Sequence, residues 1–201
     1  LTFGCNANCV HCYLDCPKYT SELKKEECDK ILNRLTDGGI EELTLTGGEP
    51  TLSKNFFHII KEARKRDLSV KVITNGLNLN DEVIGFLREY SVSPIMSLHA
   101  SSEETFQKIY GISAARFKTV MENLKKLRGH SINTVVMKHN IDEIEQIVQI
   151  ASQTDCIGMD IFKLMKIGRT RDSDSDIPDK RKKELKAYLG YLATTVRFPL
   201  N

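Results

Sequence analysis

The chain has 201 residues, 40% hydrophobic and 28% charged, with 29 Lys+Arg against 27 Asp+Glu and a formal net charge of +2. That length and composition suit one soluble globular domain and exclude a disordered or collagen-like chain. The near balance of charge supplies no basic field, so neither nucleic acid nor an anionic membrane is an expected partner. Apolar runs such as residues 56–60 fall far short of the ~20 residues of a membrane span, and no signal peptide opens the chain, which makes a cytoplasmic location the expectation.

In chain order, residues 1–3 read as the end of a clipped strand, and both termini read as cuts through a longer protein. Four of the six cysteines follow at once, at 5, 9, 12 and 16; the others are Cys28 and Cys156. Helical spacing runs over 21–35, carrying Leu23, Ile31 and Leu35 on one side, and Asp37-Gly38-Gly39 closes that helix. β-branched and apolar runs then alternate with helical ones. Strands are expected at 42–46, 69–74, 92–98, 132–137 and 157–164, and helices at 55–66, 81–90, 103–110, 114–127 and 141–152. Ser101 or Ser102 suits the N-cap of the helix holding Glu104, and Asn140 that of the helix beginning at Ile141. Residues 169–180 read as a polar linker or exposed loop, followed by a helix over 182–194 outside the sheet.

Repeated strand–helix units point to a parallel sheet buried on both faces. Counting residues 1–3 as a first strand gives six units, too few for a closed eight-stranded barrel, so the expected fold is an α/β partial (βα)6 barrel. Residues 1–169 form its core, and 170–201 a linker and C-terminal helix.

Cys5, Cys9 and Cys12 form a CxxxCxxC triplet directly after a strand. Three soft thiolates on one loop can hold a single metal centre and leave a fourth position open. Spacing alone leaves two candidates: a 4Fe–4S cluster, or zinc with Cys16 as a fourth ligand. The other suspicious segments all fall at strand ends: Thr46-Gly47-Gly48-Glu49-Pro50, Thr74-Asn75-Gly76, Ser97-Leu98-His99, 133–138 and 162–165. Barrel folds place their active sites at that end of the strands.

The triplet with its neighbours (CNxxCxHCY), together with the GGEP segment 47–50, resembles the radical S-adenosylmethionine (SAM) superfamily over residues 1–169. The resemblance implies that Cys5, Cys9 and Cys12 hold a 4Fe–4S cluster whose remaining iron chelates SAM. It implies an enzyme that cleaves SAM reductively to a 5′-deoxyadenosyl radical, which abstracts hydrogen from a substrate. An electron donor of ferredoxin or flavodoxin type is implied as a partner. Gly47 and Gly48 are expected to admit the methionine amino group, Glu49 to take a site role, His11 to stack near adenine, and Ser97 to bond the ribose. Thr74 and Met165 match positions near cofactor or substrate. His58, His130, Cys28 and Cys156 are expected to be packing or surface groups.

Within the superfamily, segment 133–144 resembles the branch of the molybdenum-cofactor GTP cyclase and the peptide- and haem-modifying maturases. Two features depart from the cyclase: Thr44 stands where it has arginine, and Cys156 is the only cysteine after residue 28. The expected substrate is therefore a peptide, or another protein- or cofactor-derived molecule. The rival reading from a different class is a non-catalytic zinc or iron–sulfur module on a degenerate barrel.

Overall fold

A computed structural model describes residues 1–16 and 21–201. Its elements run α1 (Lys25–Asp37), β1 (Glu42–Leu45), α2 (Phe56–Arg64), β2 (Ser69–Thr74), α3 (Asp81–Glu89), β3 (Ser93–Ser97), α4 (Glu103–Tyr110), α5 (Arg116–Lys126), β4 (His130–Val136), α6 (Ile144–Ser152), β5 (Cys156–Lys163) and α7 (Asp179–Leu192). All five strands are parallel and lie in sequential order, β1 to β5. A sheet that never reverses its order winds as a barrel winds, whereas a doubly wound sheet reverses at a switch point. The fold is the expected α/β partial barrel.

Strand register explains which residues face the site. Thr74, Met96, Ile132 and Met159 are aligned across β2–β5, and all four are buried. One residue further along, Ser97, Asn133 and Asp160 form a half-buried row that points the opposite way. The apolar core includes Phe56, Ile60, Phe106, Leu124 and Ile147 from four helices, all at most slightly exposed.

The sixth, leading strand is not formed as a strand. Residues 1–4 instead lie against the chain just after β1: the Leu1 amino group donates to Thr46 O (2.8 Å), Gly48 N–H to Thr2 O (2.7 Å), and Glu49 N–H to Gly4 O (2.8 Å). Thr2 also forms an antiparallel bridge with Glu22, with Phe3 N–H on Ser21 O and Leu23 N–H on Leu1 O. That pairing consumes residues 21–23, which is why α1 starts at Lys25 and not at 21.

Two further expectations are corrected. Asn140 makes no cap bond; its Oδ1 accepts from Met137 N–H, and its Nδ2 donates to His99 O and Val135 O, which fastens the end of β4 to the end of β3. Ser102, by contrast, caps α4 through Thr105 N–H. The stretch read as a linker is packed: Thr170, Ser175 and Ile177 are buried, and Lys138 N–H donates to Ser175 O. After α7 the chain returns to the edge of β5, where Leu200 bridges Met159 in parallel.

Candidate functional site

The loop after residue 4 crosses the C-terminal ends of the strands. A cavity of about 130 Å³ there is lined by Cys5, Cys9, Cys12 and Cys16, by Gly47 and Gly48 from the end of β1, by Thr74 and Asn75 from β2, and by Ser97 and His99 from β3. Nine of the ten residues assigned to the site from sequence are accounted for here: His11 lines the same cavity, and Glu49 lies directly behind it. Met165 is the exception. It is 64% exposed and does not line the cavity; the chain leaves β5 two residues earlier.

Burial dominates at Cys9 and Cys5. It pushes Cys9 up to about 12, with Cys5 and Cys12 adding to the rise and Arg169 opposing it. Cys5 is likewise pushed up by burial, and Asn75 Nδ2, 3.9 Å from its Sγ, acts in the opposite direction. Such thiols lose their protons when they ligate a metal, so binding and deprotonation are coupled. Cys16 N–H lies 3.3 Å from Cys12 Sγ, the geometry of a backbone donor on a ligand sulfur. Cys28 is fully buried on α1, and Cys156 donates to Gly158 O; neither faces the cavity.

Glu49 is occupied by the protein itself. Its Oε1 accepts from Thr51 N–H (3.2 Å), Thr51 Oγ1 (2.7 Å) and Thr74 Oγ1 (2.8 Å), and its Oε2 from Asn75 N–H (2.8 Å). Burial raises this carboxyl, and the four donors offset part of the rise. The Thr74 hydroxyl thus donates to Glu49 and accepts from Gly76 N–H. The two glycines before Glu49 have a structural reason as well. A Cβ on Gly47 would overlap the Thr2 carbonyl oxygen, and one on Gly48 that of Gly4.

Behind the loop stands a histidine pair that the sequence did not single out as such. His11 and His99 meet edge to face with centroids 4.5 Å apart, and His99 stacks on Tyr110. Val135 N–H donates to His99 Nδ1 (3.2 Å), so the ring proton sits on Nε2. Burial holds both imidazoles neutral: it lowers His11 to about 4, helped by Arg169, and His99 well below its ordinary value. His11 Nδ1 is buried and has no hydrogen-bond partner. An orphaned buried nitrogen beside four thiols and a glycine-lined wall marks a ligand-binding cavity.

A model of the radical SAM superfamily matches residues 1–151. The chain belongs to the radical SAM superfamily. It is 30% identical over 185 residues to the AdoMet-dependent heme synthase of Methanosarcina barkeri, covering 89% of this chain and 53% of that protein. Against the sporulation killing factor maturation protein SkfB of Bacillus subtilis it is 28% identical over 177 residues, covering 86% and 43%. The fold superposes on Streptococcus suis SuiB bound to S-adenosylmethionine with a TM-score of 0.84 at 16% identity, covering 100% of this chain and 48% of that one. The same protein bound to precursor peptide SuiA gives 0.82. The chain spans about half the length of the curated relatives it matches. No described helix is long and apolar enough to cross a membrane.

Proposed function

We propose that the chain is the core of a cytoplasmic radical SAM enzyme in which Cys5, Cys9 and Cys12 hold a 4Fe–4S cluster and SAM occupies the adjoining cavity. The observation that carries this reading is the grouping of thiols, glycine wall and unpaired His11 Nδ1 in one cavity at the strand ends. The donor set fits the group. Three soft thiolates on one loop, lining one cavity, suit a four-iron cluster that takes one thiolate per iron and leaves the fourth iron open. When bound, cluster and SAM together supply one electron and a carbon-centred radical for hydrogen abstraction.

The protein's own residues do the rest. Gly47 and Gly48 line the cavity with backbone, and their missing side chains let residues 1–4 pack against them. His11 offers a neutral planar ring whose Nδ1 has no partner within the protein. Ser97 brings a hydroxyl to the rim from β3. Glu49 and Thr74 work behind the wall, fixing the ends of β1 and β2. For the substrate we favour a peptide over GTP. Thr44 is exposed on β1 and cannot grip phosphate as arginine does, a relative is named as a maturation protein, and a structural neighbour was solved with a precursor peptide. A ferredoxin- or flavodoxin-type donor supplies the electron.

Anaerobic reconstitution followed by dithionite and SAM tests the reading. Visible iron–sulfur absorption and release of 5′-deoxyadenosine above a Cys9→Ala control are expected. A colourless protein that takes up zinc alone, or a cluster-loaded protein that releases no nucleoside, would overturn it.

A further inference from the structure

The cavity loop has almost no secondary structure of its own. Within residues 5–16 the internal backbone bonds are Cys12 N–H to Cys9 O (3.2 Å) and Asp15 N–H to Cys12 O (3.4 Å). Its first half is pinned from one side: Asn8 N–H donates to Tyr110 O (2.8 Å) and Val10 N–H to Ile109 O (2.9 Å), which are free carbonyls at the C-terminal end of α4. From outside the loop, the carbonyls of Cys9, Cys12 and Cys16 are met among the described residues by a single residue beyond β5.

That residue is Arg169, in the short 3₁₀ turn Gly168–Thr170 after β5. Its backbone N–H donates to Cys12 O (3.1 Å). Its Nη1 donates to Cys9 O (2.8 Å), its Nε to Asp15 Oδ1 (2.7 Å), and its Nη2 to Cys16 O. One side chain and one amide therefore reach the carbonyls of three of the four loop cysteines across more than 150 residues of sequence. The approach is close because Gly168 stands at φ +58, where a Cβ would run into Cys12 O and Tyr13 O. The Arg169 side chain is 20% exposed, so these charge-assisted bonds are largely shielded from water.

We propose that Arg169 is a positioning residue for the thiolate loop: its planar fork holds the Cys9–Cys16 half so that the thiols of Cys9 and Cys12 face one cavity. Its meaning for a cluster rests on the reading above; the clamp itself does not. The fork is essential to the idea. Three donors with fixed mutual directions meet two carbonyls and a carboxylate at once, and a lysine ammonium on a flexible stem cannot span them.

Arg169→Gln and Arg169→Lys test this in two measurements. In reduced, metal-free protein, alkylation of each cysteine is followed by peptide mass spectrometry. Both variants should alkylate Cys9 and Cys12 about tenfold faster than wild type, the loss of one charged hydrogen bond, while Cys28 on α1 stays protected. After reconstitution, both should release iron to a chelator faster by a similar factor. Unchanged rates in Arg169→Gln overturn the clamp. Wild-type rates in Arg169→Lys overturn the requirement for the fork. If Arg169→Gln also exposes Cys28, Arg169→Lys with Cys28 protected decides by the same two rates. If wild type takes up no iron, the cluster reading falls, and the alkylation rates still judge the clamp.

Discussion

Glu49 Oε2 accepts the backbone N–H of Asn75 at 2.8 Å, and the Asn75 side chain in turn donates to Asn6 Oδ1 at 2.8 Å and lies 3.9 Å from Cys5 Sγ. The chain of contacts joins the end of β1, the end of β2 and the thiolate loop. Glu49→Gln tests it. Every donor on this buried group is directed at an oxygen, so a carboxamide leaves at least one N–H facing an NH2. The expected cost is about 1–3 kcal/mol, read as a lowered denaturant midpoint. Iron release after reconstitution should also quicken, since Asn75 loses its anchor. A variant as stable as wild type would show that the four bonds are incidental.

The cysteines divide into two groups with different signatures. Alanine at Cys5, Cys9 or Cys12 should abolish iron uptake on anaerobic reconstitution. Cys28→Ala should leave iron intact and lower stability by about 1 kcal/mol, because it opens a small cavity at a fully buried site. Cys16→Ala should also keep its iron: the contact to Cys12 Sγ comes from the Cys16 backbone N–H, which alanine retains. Iron counting on the five variants checks the division, and loss of iron in Cys16→Ala would make it a ligand.

Two glycines should respond in opposite directions. Gly48→Ala places a methyl group against the Gly4 carbonyl, and that backbone is held by Glu49 N–H, so it cannot retreat without breaking the attachment of residues 1–4. About 1–3 kcal/mol of destabilisation and faster limited proteolysis near the N-terminus are expected. Gly85 lies inside α3 with open space around a built Cβ, so Gly85→Ala should stabilise by up to about 1 kcal/mol. Thermal melts of the pair, with reversed signs as predicted or not, settle the matter.

The regular elements were legible because each carries its own apolar period: the strand over residues 69–74 and the helix over 103–110 fall where their patterns place them. The thiolate triplet and GGEP were legible because spacing and residue type together are unusual. What escaped depends on contacts distant in sequence. Glu49 reads as a cavity acid until its four donors are seen. Arg169 reads as one cation in a polar stretch, and only the turn at Gly168 brings it against Cys9, Cys12 and Cys16. Met165 stands two residues past the end of β5 and is exposed, a placement that a motif match does not reveal. The delayed start of α1 was hidden too, because pairing of Glu22 with Thr2 overrides helical spacing that looks continuous from residue 21.

His130 supplies a pH signature independent of the site. It opens β4 fully buried, with Nε2 3.2 Å from Thr154 Oγ1 and Nδ1 without a partner. Burial holds it down at about 4, with Asp155 pulling up and Arg128 pushing further down. The unfolded chain returns it to about 6.5. Between those two values the unfolded state binds the extra proton, so stability rises with pH across that window. The contribution is complete above about 6.5 and is lost as pH falls toward 4. His11 and His99 are depressed in the same sense and add to the slope, so the wild-type melting temperature should drop steadily from pH 7 to pH 5. His130→Gln keeps a polar partner for Thr154 but cannot be protonated. Its melting temperature should fall less over the same interval, and a slope equal to that of wild type would mean that His130 is not held neutral by the fold.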